Sequence, residues 1–349
     1  MNASDQKFLS SLGFENQTGK FRWRVFCRGG RVLMIFPDDG KLLRAGIQLY
    51  SPQRWPARLA AKFLGCVPGA RFFLRSIDLD LPESGAISRV IKRVPGEITG
   101  VLLGNPAQNE RRGLILVQGS AQRSRVVKIG TSREARVQIR RELESLERHR
   151  NDCPSAIGIP NVFESWEESD FSAFSLPFYQ TRTGSGERLA ELIRVLQSWQ
   201  ARSKSSSFRS TRSWQQVEKE LTSEEKSIAE SLRLKPSLRH GDLALWNIVQ
   251  NEDGGLIVID WETALASDVP GWDLVHFLLT SSQFVEKNSP PETISKVSEQ
   301  LLTDPRVQNF LSECGWQGNE GLLLRSYLLG RSDAFPDTAE LLRYSRNLP

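Results

Sequence analysis

Residues 239–249 read Arg-His-Gly-Asp-Leu-Ala-Leu-Trp-Asn-Ile-Val, and residues 256–262 read Leu-Ile-Val-Ile-Asp-Trp-Glu. Asp242 and Asn247 lie five positions apart on a segment that ends in a short apolar run. The stretch Asn-Glu-Asp-Gly-Gly at 251–255 follows. Asp-Gly and Gly-Gly supply the positive φ that a tight hairpin needs. A second apolar run, residues 256–259, leads back and delivers Asp260 at its end. The hairpin predicts Asp242, Asn247 and Asp260 facing one small volume. Two carboxylates and an amide oxygen are hard ligands suited to Mg²⁺, which keeps several waters and takes one or two carboxylates with substrate phosphates. A base Asp, an Asn five residues on and a metal-binding Asp after a hairpin match the requirements of phosphoryl transfer.

The run His240-Gly241-Asp242-Leu243 through Asn247-Ile248, followed by Val258-Ile259-Asp260-Trp261-Glu262, resembles the aminoglycoside phosphotransferase and choline kinase family, the small-molecule branch of the protein-kinase-like fold. Pro270-Gly271-Trp272-Asp273-Leu274-Val275 is similar to that family's W-D-L-A helix start. The resemblance implies ATP or GTP with Mg²⁺ as cofactors and a small-molecule hydroxyl as acceptor. It implies Asp242 as the catalytic base and Asn247 and Asp260 as metal ligands. His240 is expected to hold the loop by hydrogen bonds, and Asp273 to cap the helix that begins near Trp272. Trp261 and Glu262 stand where protein kinases carry Phe-Gly, and no A-P-E segment follows, which favours the small-molecule branch.

The elements that must position these groups are legible in part. Residues 98–104, 113–117 and 125–129 read as three strands with polar turns, suited to an antiparallel sheet. Lys128 lies within the third, between Val127 and Ile129. A Lys there faces solvent or asks for a partner. The resemblance favours a role on the nucleotide phosphates with Glu142 as partner, from Arg141-Glu142-x-x-x-Leu146 in a strong helix over 132–150. Glu134 and Glu144 compete for that place. The loop 104–113 sits where phosphates would be covered, lacks a G-x-G-x-x-G pattern, and offers Arg111 and Arg112 for phosphate contact. Two further strands are read at 161–166 and 171–178. By the resemblance Phe178, Tyr179 and Gln180 fall at the hinge and read the adenine. Helices are expected over 187–200 and 215–232, and from Asp273 to the end with breaks at Pro290-Pro291 and Gly315.

Residues 1–90 carry two short strands near Trp23 and Val32, helical spacing from Lys41 to Leu64 interrupted by Pro52 and Pro56, and a boundary at Asp78-Leu79-Asp80-Leu81-Pro82. The expected organisation is an α+β chain with a bilobal protein-kinase-like fold. Its parts are an accessory module at 1–90, an antiparallel-sheet N-lobe at 91–180, and a mainly helical C-lobe with the catalytic loop at 181–349. The stretch 201–212 is Ser- and Arg-rich and reads as a mobile surface loop.

The 349 residues, with 39% hydrophobic and 25% charged side chains, suit a globular protein of this size. Four scattered Cys and three His give no zinc or disulfide pattern. No apolar run reaches membrane-spanning length, and a polar N-terminus without an apolar core points to the cytoplasm. The net charge of +5 reads as Arg spread along the chain, without a nucleic-acid motif. A basic, Ser-rich stretch ahead of the catalytic loop favours a neutral or anionic acceptor, such as a sugar, polyol or polysaccharide precursor, over an aminoglycoside. The alternative is a non-catalytic member that binds nucleotide or a partner.

Overall fold

The computed structural model describes all residues except 16–20, 51–54, 105–110, 120–123, 153–156, 180–187, 201–204, 252, 333 and 346–349. The chain forms two compact units, one of Met1–Leu146 with Pro160–Thr181, the other of Glu147–Ile159 with Arg182–Pro349.

The first unit is built on a single eight-stranded antiparallel sheet. In chain order its elements are helix α1 (Ala3–Ser11), strands β1 (Arg22–Arg28) and β2 (Arg31–Pro37), helices α2 (Gly40–Gly46) and α3 (Trp55–Cys66), strand β3 (Arg75–Asp78) and helix α4 (Ala86–Ile91). Strands β4 (Glu97–Leu103), β5 (Arg112–Gln118) and β6 (Arg125–Gly130), helix α5 (Arg133–Asp152), and strands β7 (Glu164–Glu167) and β8 (Ser172–Pro177) follow. The strand order is β3-β1-β2-β4-β5-β6-β8-β7. Residues 1–90 therefore contribute three strands to the sheet that carries Lys128.

Period-two alternation sorts the sheet residues onto two faces. Ile35, Val101, Ile115 and Val127 pair in one cross-strand row and join a core that also takes in Phe8, Leu9, Leu12, Phe14 and Ile87. Met34, Leu102, Leu114, Lys128 and Phe174 form the adjacent row on the other face. Over the β2 end of that face lie Leu43, Ile47, Leu64 and Ala70. The expected boundary at 78–82 is instead core: Leu79 is buried among the first cluster, and Asp80 bridges Glu15.

Helix α1 is tied to the sheet by a buried ion pair. Arg111 Nη1 lies 2.8 Å from Asp5 Oδ1, and Asp5 Oδ2 accepts a 2.9 Å bond from the Val32 amide. Arg111 Nε also donates to Gly104 O at 3.0 Å, and its guanidinium lies 4.6 Å from the Phe8 ring centroid.

The second unit adds helix α6 (Arg188–Ser198), strand β9 (Ser206–Ser207), helices α7 (Arg212–Val217) and α8 (Ser223–Ser231), and strands β10 (Arg233–Leu234) and β11 (Ser237–Arg239). Strands β12 (Ile248–Gln250), β13 (Leu256–Val258) and β14 (Leu265–Asp268) precede helices α9 (Trp272–Thr280), α10 (Pro290–Thr303), α11 (Pro305–Cys314), α12 (Glu320–Gly330) and α13 (Thr338–Ser345). Its interior is aromatic, with Trp199, Trp261, Trp272, Trp316, Tyr327, Phe208 and Phe310 fully buried. The single helix expected over 215–232 is two, broken between Val217 and Ser223, and Thr222 starts the second with a reciprocal capping box to Glu225. The Ser- and Arg-rich stretch is anchored in its described part, although Ser205, Arg209, Ser210 and Arg212 stay exposed. Phe208 packs edge-on against Trp214 and Trp316 at 5.4 and 5.6 Å, which fixes the chain around it, and β9 pairs with β10.

Replacing Asp5 by Ala should leave the Arg111 guanidinium buried without its counter-charge. Breaking one side of such a pair costs about 3–5 kcal/mol, and chemical denaturation followed by the Trp signal should show a correspondingly lower midpoint.

Candidate active site

The catalytic-loop candidates sit on a segment whose backbone is clamped from below. Gly241 has φ +85°, and a Cβ there would meet Thr263 Oγ1 at 2.8 Å, so only glycine fits. The His240 and Gly241 amides donate to the two carboxylate oxygens of Asp273 at 2.6 and 2.9 Å. Asp273 is the second residue of α9, whose N-cap is Gly271 and receives no side-chain cap bond. The expected helix cap is thus corrected: Asp273 holds the loop, because two buried amides require an acceptor and its carboxylate offers one to each.

His240 is fully buried. Its Nε2 lies 3.0 Å from Ile259 O and its Nδ1 accepts from the Asp242 amide at 3.3 Å, so Nε2 carries the ring proton. Burial pushes its pKa below the ordinary range, against the opposing pull of Asp273, Asp242 and Asp260. The neutral ring therefore joins the loop to the end of the hairpin.

That hairpin forms as the turn residues predict. Ile248 pairs with Val258, Val249 with Ile257 and Gln250 with Leu256, and Gly254 takes φ +83°. The Ile259 amide donates to Asn247 O at 2.8 Å, which registers the residue before Asp260 against the loop. Asp260 has φ +69°, a left-handed conformation that costs a non-glycine residue strain of order 1–3 kcal/mol and that clusters at functional sites. Trp261 is buried, donates through Nε1 to Val258 O at 2.6 Å, and packs edge-on against Trp199 and His240.

Asn247 is 3% exposed, and its Nδ2 donates to Asp242 O at 2.8 Å and to Asp242 Oδ2 at 3.1 Å. Its nitrogen is committed to Asp242, and Oδ1 remains as the acceptor. With the Asp260 carboxylate this donor set suits a hard divalent cation. Among the described residues no cluster of three or more His, Cys, Asp or Glu groups is arranged to hold a metal. Such a cation would take its remaining oxygens from water and phosphate.

Sequence reasoning missed His276. Its Nε2 lies 3.1 Å from Asp242 Oδ1, and its Nδ1 meets the Tyr327 hydroxyl. His276 and Tyr327 are buried, whereas the Asp242 side chain is 43% exposed. Burial works to raise the Asp242 pKa. The hydrogen bond and charge of His276, then His240 and Arg331, outweigh it and hold the carboxyl below its ordinary 3.8. Arg331, which closes α12, also donates to Gly241 O. One sequence signal was available: His276 lies three residues after Asp273, on the same face of α9.

The first unit carries the other candidates. Lys128 Nζ lies 2.6 Å from Glu142 Oε1, both buried, and Arg112 Nη1 is 3.9 Å from Glu142 Oε2. Glu134 and Glu144, the competing acids on α5, are exposed. Arg111 is not free for phosphate, being held by Asp5. Residues 105–110 of the proposed phosphate loop lie outside the described residues. Phe178 and Tyr179 are half-buried just beyond β8, where the Phe178 amide donates to Ser124 O at 2.8 Å. Gln180 lies outside the described residues.

In His276→Ala, the burial that raises the Asp242 pKa remains while the hydrogen bond and charge that lower it are gone. The acidic limb of the kcat/KM profile for ATP turnover should move to higher pH. An unmoved limb would remove His276 from the control of Asp242.

The sequence profile of the phosphotransferase enzyme family APH matches residues 28–306. A comparison with curated proteins finds no match. Among solved structures the chain is similar to amicoumacin kinase hAmiN in complex with AMP-PNP, Ca²⁺ and Ami, at 15% identity over 70% of this chain and 86% of that one, with a TM-score of 0.44. It is similar to choline kinase LicA from Streptococcus pneumoniae at 15% identity, over 74% of this chain and 95% of that one, with a TM-score of 0.42. Similarity extends to an aminoglycoside phosphotransferase from Alicyclobacillus acidocaldarius at 11% identity, over 67% and 85%, with a TM-score of 0.38. The profile spans most of the chain, including every position from Asp242 to Asp260, and with its α+β protein-kinase-like fold the chain belongs to the phosphotransferase enzyme family.

Proposed function

We propose that the chain transfers the γ-phosphoryl group of ATP (or GTP) to a hydroxyl of a small molecule. Asp242 accepts the hydroxyl proton as the acceptor oxygen bonds to the γ-phosphorus. The bond from that phosphorus to the β–γ bridging oxygen breaks, and the nucleoside diphosphate leaves. Asn247 and Asp260 would hold Mg²⁺, whose charge would offset the negative charge that develops on the phosphates. Lys128, paired with Glu142, engages the phosphates, and Phe178 and Tyr179 border the base. The work is positioning and electrostatics.

The observation that carries this reading is the state of Asp242. Its part-exposed carboxylate has His276 Nε2 3.1 Å from one oxygen and the Asn247 amide donating to the other, and these neighbours outweigh burial to lower its pKa. A base kept ionised and aimed by two fixed partners is what proton removal from a hydroxyl requires.

For the acceptor we favour a sugar, a polyol or a polysaccharide precursor over a polycationic aminoglycoside. The half-buried rings of Trp246 and Phe284 meet at 6.1 Å, and Phe284 stacks on Phe335, which in turn lies 5.9 Å from the His276 ring. Phe284 belongs to the π-helical turn Ser281–Val285, a distortion frequent at functional sites. Aromatic faces stack on the C–H faces of a sugar ring, which suits a neutral acceptor, although the same faces also attract cations. Tight association of aminoglycosides in a binding screen would reject this preference.

Thermal unfolding with ATP and Mg²⁺, against ATP alone, tests the nucleotide site. Ligand at a hundred times its dissociation constant adds about 2.7 kcal/mol, and Asp260→Asn should lose the metal-dependent part. Asp242→Ala should keep the thermal shift and lose turnover by at least ~10²-fold. A shift without turnover in the wild type would favour the non-catalytic reading.

A further inference from the structure

The basic excess of the chain is concentrated rather than spread. Residues 40–77 hold seven Lys or Arg and no Asp or Glu, so this segment's +7 exceeds the +5 of the whole chain. The same segment carries a continuous exposed apolar surface. Helix α3 sends Leu64 into the core, as the inward stripe of a surface helix should. It also carries a second apolar stripe outward: Leu59 is 54% exposed and Phe63 40% exposed, one turn apart. Val67 continues the row past the end of the helix. In the 3₁₀ turn Ala70–Phe73, Phe72 is 66% and Phe73 79% exposed. The Phe63 and Phe73 rings meet edge-on at 5.5 Å, which joins helix and turn into one patch. Single exposed apolar residues are ordinary, but a joined aromatic patch marks an interaction site.

The charged residues within 40–77 are all basic, while Asp38 and Asp39 lie at the segment's edge beside Arg71 and Lys41. Lys41, Arg44, Lys62 and Arg75 are exposed. Arg71 lies over the Phe72 ring at 4.8 Å and reaches Asp38 at 3.6 Å, so its charge is partly spent within the protein. The result is a Phe- and Leu-bearing surface with the basic groups of Arg44, Lys62 and Arg75 exposed around it. Aromatic side chains favour the interfacial zone of a bilayer, and Lys and Arg favour anionic headgroups. A protein partner would have to supply apolar and acidic groups together, whereas a bilayer of anionic phospholipid presents both by construction. Among the described residues no helix is long and apolar enough to cross a membrane, so attachment would be peripheral.

We infer that the face formed by residues 59–75 docks on the surface of an anionic phospholipid bilayer. This inference is independent of the phosphotransfer reading and would survive its failure.

The test is co-sedimentation of the full chain with large vesicles of phosphatidylcholine alone and of phosphatidylcholine with phosphatidylglycerol. Binding should require phosphatidylglycerol and should weaken as salt rises. Lys62→Gln with Arg75→Gln should weaken it about fivefold per charge removed. Phe72→Ser with Phe73→Ser should reduce binding at fixed charge, and these exposed positions should leave the unfolding temperature unchanged. Equal binding to neutral vesicles, or none to anionic ones, overturns the proposal. A wild-type dimer in light scattering that becomes monomeric in Phe72→Ser/Phe73→Ser also overturns it, assigning the face to a second copy of the chain. Wild-type levels of vesicle binding by both double variants would place the contact elsewhere and reject this face.

Discussion

Two buried backbone amides with one carboxylate to receive them underlie the geometry of the catalytic loop. The chain turns at Gly241 in a conformation no secondary-structure ladder can satisfy, so the His240 and Gly241 N–H groups need another acceptor. Asp273 supplies one oxygen to each from the first turn of α9. Everything else at the loop is placed relative to that clamp. Three residues on along α9, His276 reaches Asp242, and the His240 ring, freed of any charge by burial, spans from the loop to Ile259 O. Behind the clamp Arg239, Asp268 and Ser213 form a buried network through the Arg239 Nη1 group, with the guanidinium 5.1 Å from the Trp272 ring centroid. Buried polar groups that satisfy one another in this way define one arrangement, since any slip leaves a donor or charge without a partner.

The first unit solves a similar problem with opposite charges. Lys128 occupies a cross-strand row that is otherwise Met34, Leu102, Leu114 and Phe174. A lone ammonium there would be costly, and Glu142 at 2.6 Å on α5 makes the position tenable. Such pairs add little net stability, while removing one partner would strand the other charge in the sheet. The Asp5–Arg111 pair is the structural counterpart. It anchors the N-terminal helix to the sheet.

Local signals were read correctly where the physics is local. Asp-Gly-Gly made the hairpin, alternating apolar runs made the strands, and good helix formers without Gly or Pro made α5. Misreadings arose where burial overrode composition. A Ser- and Arg-rich stretch looked like a surface loop, yet Phe208 draws it into a cluster of Trp rings. An Asp-Leu-Asp-Leu-Pro run looked like a boundary, yet Leu79 belongs to the core. Arg111 looked available for phosphate, yet its partner is 106 positions earlier in the chain.

The sequence by itself determined which residues are candidates for the site, because the spacing from Asp242 to Asn247 and the hairpin to Asp260 are short-range constraints written in consecutive residues. The order of strand and helix patterns also pointed to an α+β chain, while the protein-kinase-like fold came from the resemblance carried by the motifs. Only the tertiary structure decided which of three acids on α5 meets Lys128, since periodicity places several on the helix but burial selects one. Only the tertiary structure turned Asp273 from a helix cap into a loop clamp and brought His276 to Asp242. Those contacts join residues more than thirty positions apart, and their partners are chosen by packing, which no local pattern encodes.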